Sequence, residues 1–447
     1  MEESALWAFW EKINFTISLE CQQLTQEGFL LDPSLLKRID DARNQNDVHK
    51  LYSLREELKT SKFDSSFPYF EPSTLEEIRG SRPIIDVRRK HLLANESLRD
   101  QIYGGWLGRA AGCCLGKPIE KWPREVIEAY LQFYSAMPLK DYIPTGKGFP
   151  RNHPAQFRFS SQDCARGNID FMPRDDDMDY PVLGLVTLER SGFDTTSLDI
   201  AETWLDKIPI KLVYTAERVA YRNMVNGIDP PASATHNNPY REWIGAQIRA
   251  DIWGYVAPGW PEKAAELAFR DASITSTKNG IYGEMFFAAM IAGAFITNDV
   301  KELIDIGLSE IPAKSRLSEV INNTLAWSKS DDSWSDVWTR IDALYGHYDD
   351  VHTIKNAAMI VLGLLRGNGD FEKTITTTVL GGWDADCTGA TAGSIAGVML
   401  GSKYLPDKWV GVFNDRLKTS VRDFEDVKIS ALADRTFSLA KLSLELT

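Results

Sequence analysis

Two runs of the 447-residue chain carry a glycine at every fourth position, and they limit the fold more than any other feature. In YGGWLGRAAGCCLG the glycines are Gly104, Gly108, Gly112 and Gly116; in TGATAGSIAGVMLG they are Gly389, Gly393, Gly397 and Gly401. Four-residue spacing puts each set on one helical face. Glycine weakens a helix by about 1 kcal/mol per residue relative to alanine, so eight of them need a compensating gain. Close backbone approach supplies it: the pattern predicts two buried helices packed tightly at the centre of a bundle. Membrane helices use the same spacing, but Arg109 interrupts the first run and the second is too short to span.

The remainder fits a helical protein. Leu31, Leu35, Leu36 and Ile39, then Leu51, Leu54 and Leu58, recur at three- and four-residue spacings, which reads as helices over residues 1 to about 65. SSFPYFEPS then brings Pro68 and Pro72, a connector before a further helix at TLEEIRG, and a boundary is expected between 65 and 95. No alternating strand series follows. The stretch from Pro138 to Pro173 is long and polar, as functional or disordered loops are. Hydrophobic residues at 43% and charged residues at 25% allow a sizeable core.

A net charge of -13 argues against a general nucleic-acid or anionic-membrane binder, which needs positive surface potential. Five cysteines (Cys21, Cys113, Cys114, Cys164 and Cys387), odd in number and without CxxC spacing, favour neither a disulfide scaffold nor a structural zinc site. The acidic start MEESALWAFWEKINF does not read as a signal peptide. No apolar run reaches the roughly 18 residues of a membrane span. A cytoplasmic location is the expectation.

Two acidic clusters carry the chemistry. PRDDDMDYP holds Asp175, Asp176, Asp177 and Asp179 ahead of a helical run. One aspartate accounts for a helix cap, with Pro181 in the first turn; three adjacent carboxylates repel one another and call for solvent or a cation. LGGWDADCTGATAG holds Asp384 and Asp386 just before the second glycine helix. Capping explains these too, with Thr388 an equal candidate, but an Asp-x-Asp pair also suits one or two hard cations.

Other candidates are weaker. Glu120, in GKPIEKW, is as easily a surface residue. Glu242, Arg249 and Asp251 lie among tryptophans, where core ion pairs are the first reading. Asn279 and Glu284 sit near Gly280 and Gly283, and His352 and Asn356 share a helical face one turn apart. No Ser-His-Asp or Cys-His set assembles from the sequence.

GCCLGKPIE, DDDMDY and GWDADCTGA, in this order, resemble the ADP-ribosylglycohydrolase family, which includes dinitrogenase-reductase-activating glycohydrolases and J-type crystallins. That family carries G-D-A-x-G-x-x-x-E, T-D-D-T and G-G-D-T-D-T motifs, and the likeness extends over residues 97–430. It implies an all-α orthogonal helical bundle, placed over 96–447, while residues 1–95 lie outside the likeness and read as an N-terminal helical extension. It also implies two divalent cations, Mg²⁺ or Mn²⁺, and hydrolysis of an ADP-ribosyl N- or O-glycosidic bond. By position, Asp176 and Asp177 match the T-D-D aspartates, Asp384 and Asp386 those of D-T-D, and Glu120 the motif glutamate that contacts metal and substrate. Asp175 stands in place of a ligand threonine, with an oxygen that could serve instead. Met178 and Cys387 also replace threonines, Cys113 replaces an aspartate, and Trp383 replaces a glycine.

The expected function is therefore metal-assisted glycoside hydrolysis of a ribosyl or ADP-ribosyl ligand, protein-linked or free. Asp175, Asp176, Asp177, Asp384 and Asp386 hold metal, and Glu120 or Asp384 handles the proton. Glu120, Asn279, Glu284, His352, Asn356 and Trp383 are expected near substrate. The alternatives are hydrolysis of another small glycoside or a nucleoside, a non-catalytic crystallin-like binding protein, and an unrelated helical scaffold.

Overall fold

In the computed structural model, which describes residues 8–84, 95–146, 161–329 and 332–446, the first glycine run lies in helix Glu96–Gly116 and the second in helix Ala385–Leu400. Asn95 starts the first helix by accepting from the Leu98 amide at 3.1 Å. The two lie side by side and antiparallel. A Cβ on Gly104 would stand 2.3 Å from the Gly397 carbonyl oxygen, one on Gly108 2.1 Å from that of Gly393, and one on Gly112 1.8 Å from that of Gly389. Any side chain at these points would overlap the partner backbone. Gly401 lies one residue past the second helix at φ 77°, a left-handed cap that glycine takes without strain. Because the pairing is antiparallel, Gly116 meets Ala385, whose carbonyl oxygen is 2.1 Å from the Cβ position. The end of one helix is thereby held against the start of the other.

Helices account for nearly all the regular structure, as the periodicity predicts. Helix Asn279–Ala294 is buried along its whole length, and helices Asp176–Ser191 and Thr353–Gly367 pack into the same core. Among the described residues the strands form two antiparallel pairs, Phe29–Leu30 with Lys62–Phe63 and Arg416–Lys418 with Asp426–Lys428. No described helix is long and apolar enough to cross a membrane.

Helices Pro33–Asn44 and Val48–Leu58 form where the leucine spacing places them, helix Ile13–Gln26 precedes them, and Thr74 caps a helix at Leu75–Ser81. Leu35, Ile39, Leu51, Leu54 and Leu58 are buried with Ile13 and Ile17 in an apolar cluster separate from the main core. Ionic contacts tie this segment to the rest. Arg241 is held by Glu20 and Glu27 at 2.9 and 2.8 Å, and Arg316 by Glu71 at 2.7 Å and Glu242 at 2.8 Å. Gln23 donates to Glu242 at 2.7 Å. The expected boundary between 65 and 95 falls partly on residues 85–94, and the polar stretch 138–173 partly on 147–160; both lie outside the described residues.

The helix contact makes a specific prediction. Gly108→Ala should lose about 2 kcal/mol or more of stability through overpacking against backbone, or fail to fold. Gly80→Ala, where nothing lies within 4 Å of the added methyl, should be neutral or stabilising. Urea unfolding of both variants checks the pair, and equal midpoints would refute the close packing.

Candidate active site

The acidic helix begins earlier than the proline suggests. Asp175 is its N-cap, accepting from the Asp177 amide at 2.9 Å, so Asp176 and Asp177 open the helix and Pro181 lies inside it rather than in its first turn. Proline has no N–H, so the Asp177 carbonyl four residues back has no helical donor. Arg109 takes that place: its Nε donates to the Asp177 carbonyl at 2.7 Å and an Nη to the Asp177 carboxylate at 3.0 Å. Its other bonds go to the Ile248 carbonyl and to Asp251, both at 2.6 Å. The arginine that breaks the first glycine run is thus fully buried and sets the position of an acidic residue.

The second cluster is presented by a tight turn. Gly382 and Trp383 both have positive φ, 74° and 56°. For tryptophan that conformation is strained, and its neighbours hold it. Its ring stacks on Trp338 at 5.3 Å, the Lys355 ammonium lies 4.8 Å from its centroid, and its carbonyl accepts from the Lys121 amide at 2.8 Å. Asp384 then stands at the N-cap of helix Ala385–Leu400, yet its side chain makes no capping bond. Thr388 bonds back to the carbonyls of Asp384 and Ala385. Capping therefore explains Asp175 but not the Asp384 carboxylate, which meets Asp386 and Cys387 instead.

The two clusters, more than 200 residues apart in sequence, meet. Ligand atoms of Asp177, Asp386 and Cys387 lie within 4.8 Å of one another, as do those of Glu120, Asp384 and Asp386, and those of Cys113, Asp175 and Asp177. Asp176 is outside these three groups but lines the same cavity, of about 600 Å³, with Asp175, Asp384, Asp386, Glu120, Lys117 and Lys121. Burial, and then neighbouring acids, raise the pKa values of Asp176 and Asp386 well above the usual carboxylate range. Burial raises Asp177 as well, although Arg109 opposes it. Asp175 goes the other way: Lys117, 2.6 Å away, outweighs its burial and holds its pKa down. Burial and Asp384 raise Glu120. The buried Oδ2 of Asp177 and Oδ1 of Asp386 have no hydrogen-bond partner among the described residues. Buried acceptors without partners are costly, and a carboxylate-rich pocket with two of them fits hard divalent cations.

The other expected substrate contacts are not among the residues that line this cavity. Asn279 donates to Glu242 at 2.8 Å and accepts from the Leu317 amide, closing a buried network. Glu284 lies 3.6 Å from Arg249, and burial, then Asp271, push its pKa up. His352 caps helix Thr353–Gly367 through Nδ1. Asn356 accepts from the Asp384 amide at 3.4 Å, and so orients the turn, as Trp383 does. Arg109, Lys117 and Lys121 are the residues the sequence reading missed. Two of them flank Glu120 in GKPIEK, where alternating charge was a usable signal.

Burial lowers the His352 pKa from 6.5 to about 3. The folded form thus binds a proton less readily than the unfolded chain, and stability present above pH 6.5 is lost as pH falls toward 3. The slope contributed is at most about 1.4 kcal/mol per pH unit. His352→Asn, which keeps a capping oxygen, should flatten the loss of urea stability between pH 6.5 and 4.5. An unchanged slope would show that this histidine is not the group responsible.

A model of the ADP-ribosylglycohydrolase family matches residues 94–443. A solved structure described as an ADP-ribosylglycohydrolase-related protein complex is 18% identical, covering 78% of this chain and 100% of that chain with a TM-score of 0.48. Comparison with curated proteins gives no match. With well over half its length matched, including both acidic clusters and both glycine helices, the chain belongs to the ADP-ribosylglycohydrolase family of glycosyl hydrolases.

Proposed function

We propose that this chain is a metal-dependent hydrolase that cleaves an N- or O-glycosidic bond of an ADP-ribosyl or related ribosyl substrate at the cavity between the two acidic clusters. The observation that carries this is the meeting of Asp177 with Asp386, each with a buried carboxylate oxygen left unpartnered. We assign Asp175, Asp176, Asp177, Asp384 and Asp386 as holders of two divalent cations, Mg²⁺ or Mn²⁺, within a catalytic domain over 96–447 extended by 1–95. Bound there, the cations supply Lewis-acid activation of water and of the ribosyl hydroxyls.

The chain's own residues do the rest. Glu120 is half-exposed at the cavity, beside Asp384, with its pKa raised. That suits a group which takes a proton from the attacking water or returns one to the leaving group. Lys121, 3.3 Å from Glu120, keeps the carboxylate oriented. The surrounding acids favour positive charge developing on the ribosyl carbon. Lys117 neutralises Asp175, the carboxylate that takes the place of a family threonine, so the extra negative charge does not accumulate. All five thiols are free, which fits a reducing, cytoplasmic setting, and the net charge of -13 weighs against a nucleic-acid or anionic-membrane partner.

Turnover of ADP-ribosylated arginine, ADP-ribosylated serine or a simple riboside should require Mg²⁺ or Mn²⁺ and stop on chelation. Asp386→Ala should lower it by about 100-fold or more. The measurements are product release and metal content of the purified variant. Undiminished hydrolysis by Asp386→Ala would overturn the assignment.

A further inference from the structure

The carboxylates occupy only part of the cavity. Phe9, Trp10 and Phe15 line it too, and all three precede residue 94, where the family match begins. Phe9 and Phe15 meet edge to face at 5.3 Å, and Phe9 remains 69% exposed. Tyr214, Tyr240 and Trp243 extend the aromatic lining, with Tyr240 against Trp243 at 4.7 Å.

The N-terminal turn is anchored, not merely adjacent. The buried carboxylate of Glu11 pairs with Arg218 at 3.0 Å and accepts from the Ala8 amide at 3.0 Å, and the Tyr240 hydroxyl donates to the Trp10 carbonyl. The turn therefore holds its aromatic side chains on the cavity wall, although large apolar rings facing water are unfavourable by themselves. A ligand that covers them and also reaches the acids needs a hydroxylated or charged end and a flat aromatic end. The cavity, at about 600 Å³, is large enough for such a molecule.

We propose that the N-terminal turn Phe9–Phe15 forms a stacking subsite for the nucleobase of a nucleotide-sugar ligand, so that a segment outside the family match contributes to substrate specificity. This rests on the hydrolase reading for the other end of the ligand. Stacking suits the purpose because every base presents a π-face to an aromatic ring.

Equilibrium binding of ADP-ribose, AMP and ribose 5-phosphate to the full-length chain tests it, since binding is read without turnover. Phe9→Ala combined with Trp10→Ala should weaken ADP-ribose and AMP by about tenfold or more and leave ribose 5-phosphate within about twofold. Trp10→Phe should retain most of the AMP affinity, which a merely structural tryptophan would not require. AMP bound equally by wild type and double variant overturns the subsite, as does a wild type that binds neither AMP nor ADP-ribose. An equal loss of ribose 5-phosphate overturns it as well, because it would mark a collapsed cavity. Base-dependent binding without hydrolysis of any ribosyl substrate would sink the reaction and uphold the subsite; hydrolysis with unaltered AMP binding in the double variant would do the reverse.

Discussion

Backbone lying directly on backbone, along the line from Gly104–Gly397 to Gly116–Ala385, is the constraint from which the site follows. Helices with ordinary side chains between them run about 8–10 Å apart, and these two have no room for a single methyl group. The closeness fixes their relative register, and with it which residues meet at the cavity. The short turn Lys117–Ile119 that follows one helix brings Glu120 to the start of the other, where Asp384 and Asp386 stand, and sets Lys117 against Asp175. Both acidic clusters are also at helix N-termini, where the helix dipole favours negative charge.

Charge in this part of the molecule is arranged rather than simply accumulated. Arg109 uses the vacancy that Pro181 leaves in the helix ladder, and through it one aspartate is fixed by backbone and side chain together. Lys117 holds Asp175 ionised, and Lys121 pairs with Glu120. What remains is Asp177 and Asp386, each with one oxygen unanswered among the described residues. Stability alone would favour satisfying such atoms, which is why the proposed metal assignment rests on them.

Much of this was legible in sequence, for physical reasons that differ by element. The glycine spacing could be read because steric closeness leaves a periodic mark. The leucine faces of the N-terminal helices could be read for the same reason, and the ion pairs around Arg249 followed from charged residues set among tryptophans. The acidic runs were legible as too many carboxylates for capping, although only the structure separates Asp175, which caps, from Asp384, which does not. Asn279, Glu284 and His352 carry the residue types of a binding site, but nothing local shows that their partners are Glu242, Arg249 and their own helix. Arg109 looks in sequence like a mere interruption of the glycine run, because its partners lie 68 and 142 residues away.

The ion pairs that fasten the N-terminal helices have a consequence for how the chain can be divided. Cut at residue 94, Arg241 would lose both Glu20 and Glu27, and Arg316 would lose Glu71. Arg241 would then face water without those two acids and Arg316 would keep only Glu242, so the matched region would begin with a newly bared face whose cations have lost partners. The sequence similarity ends where the electrostatic unit does not, which makes that boundary a poor place for scissors.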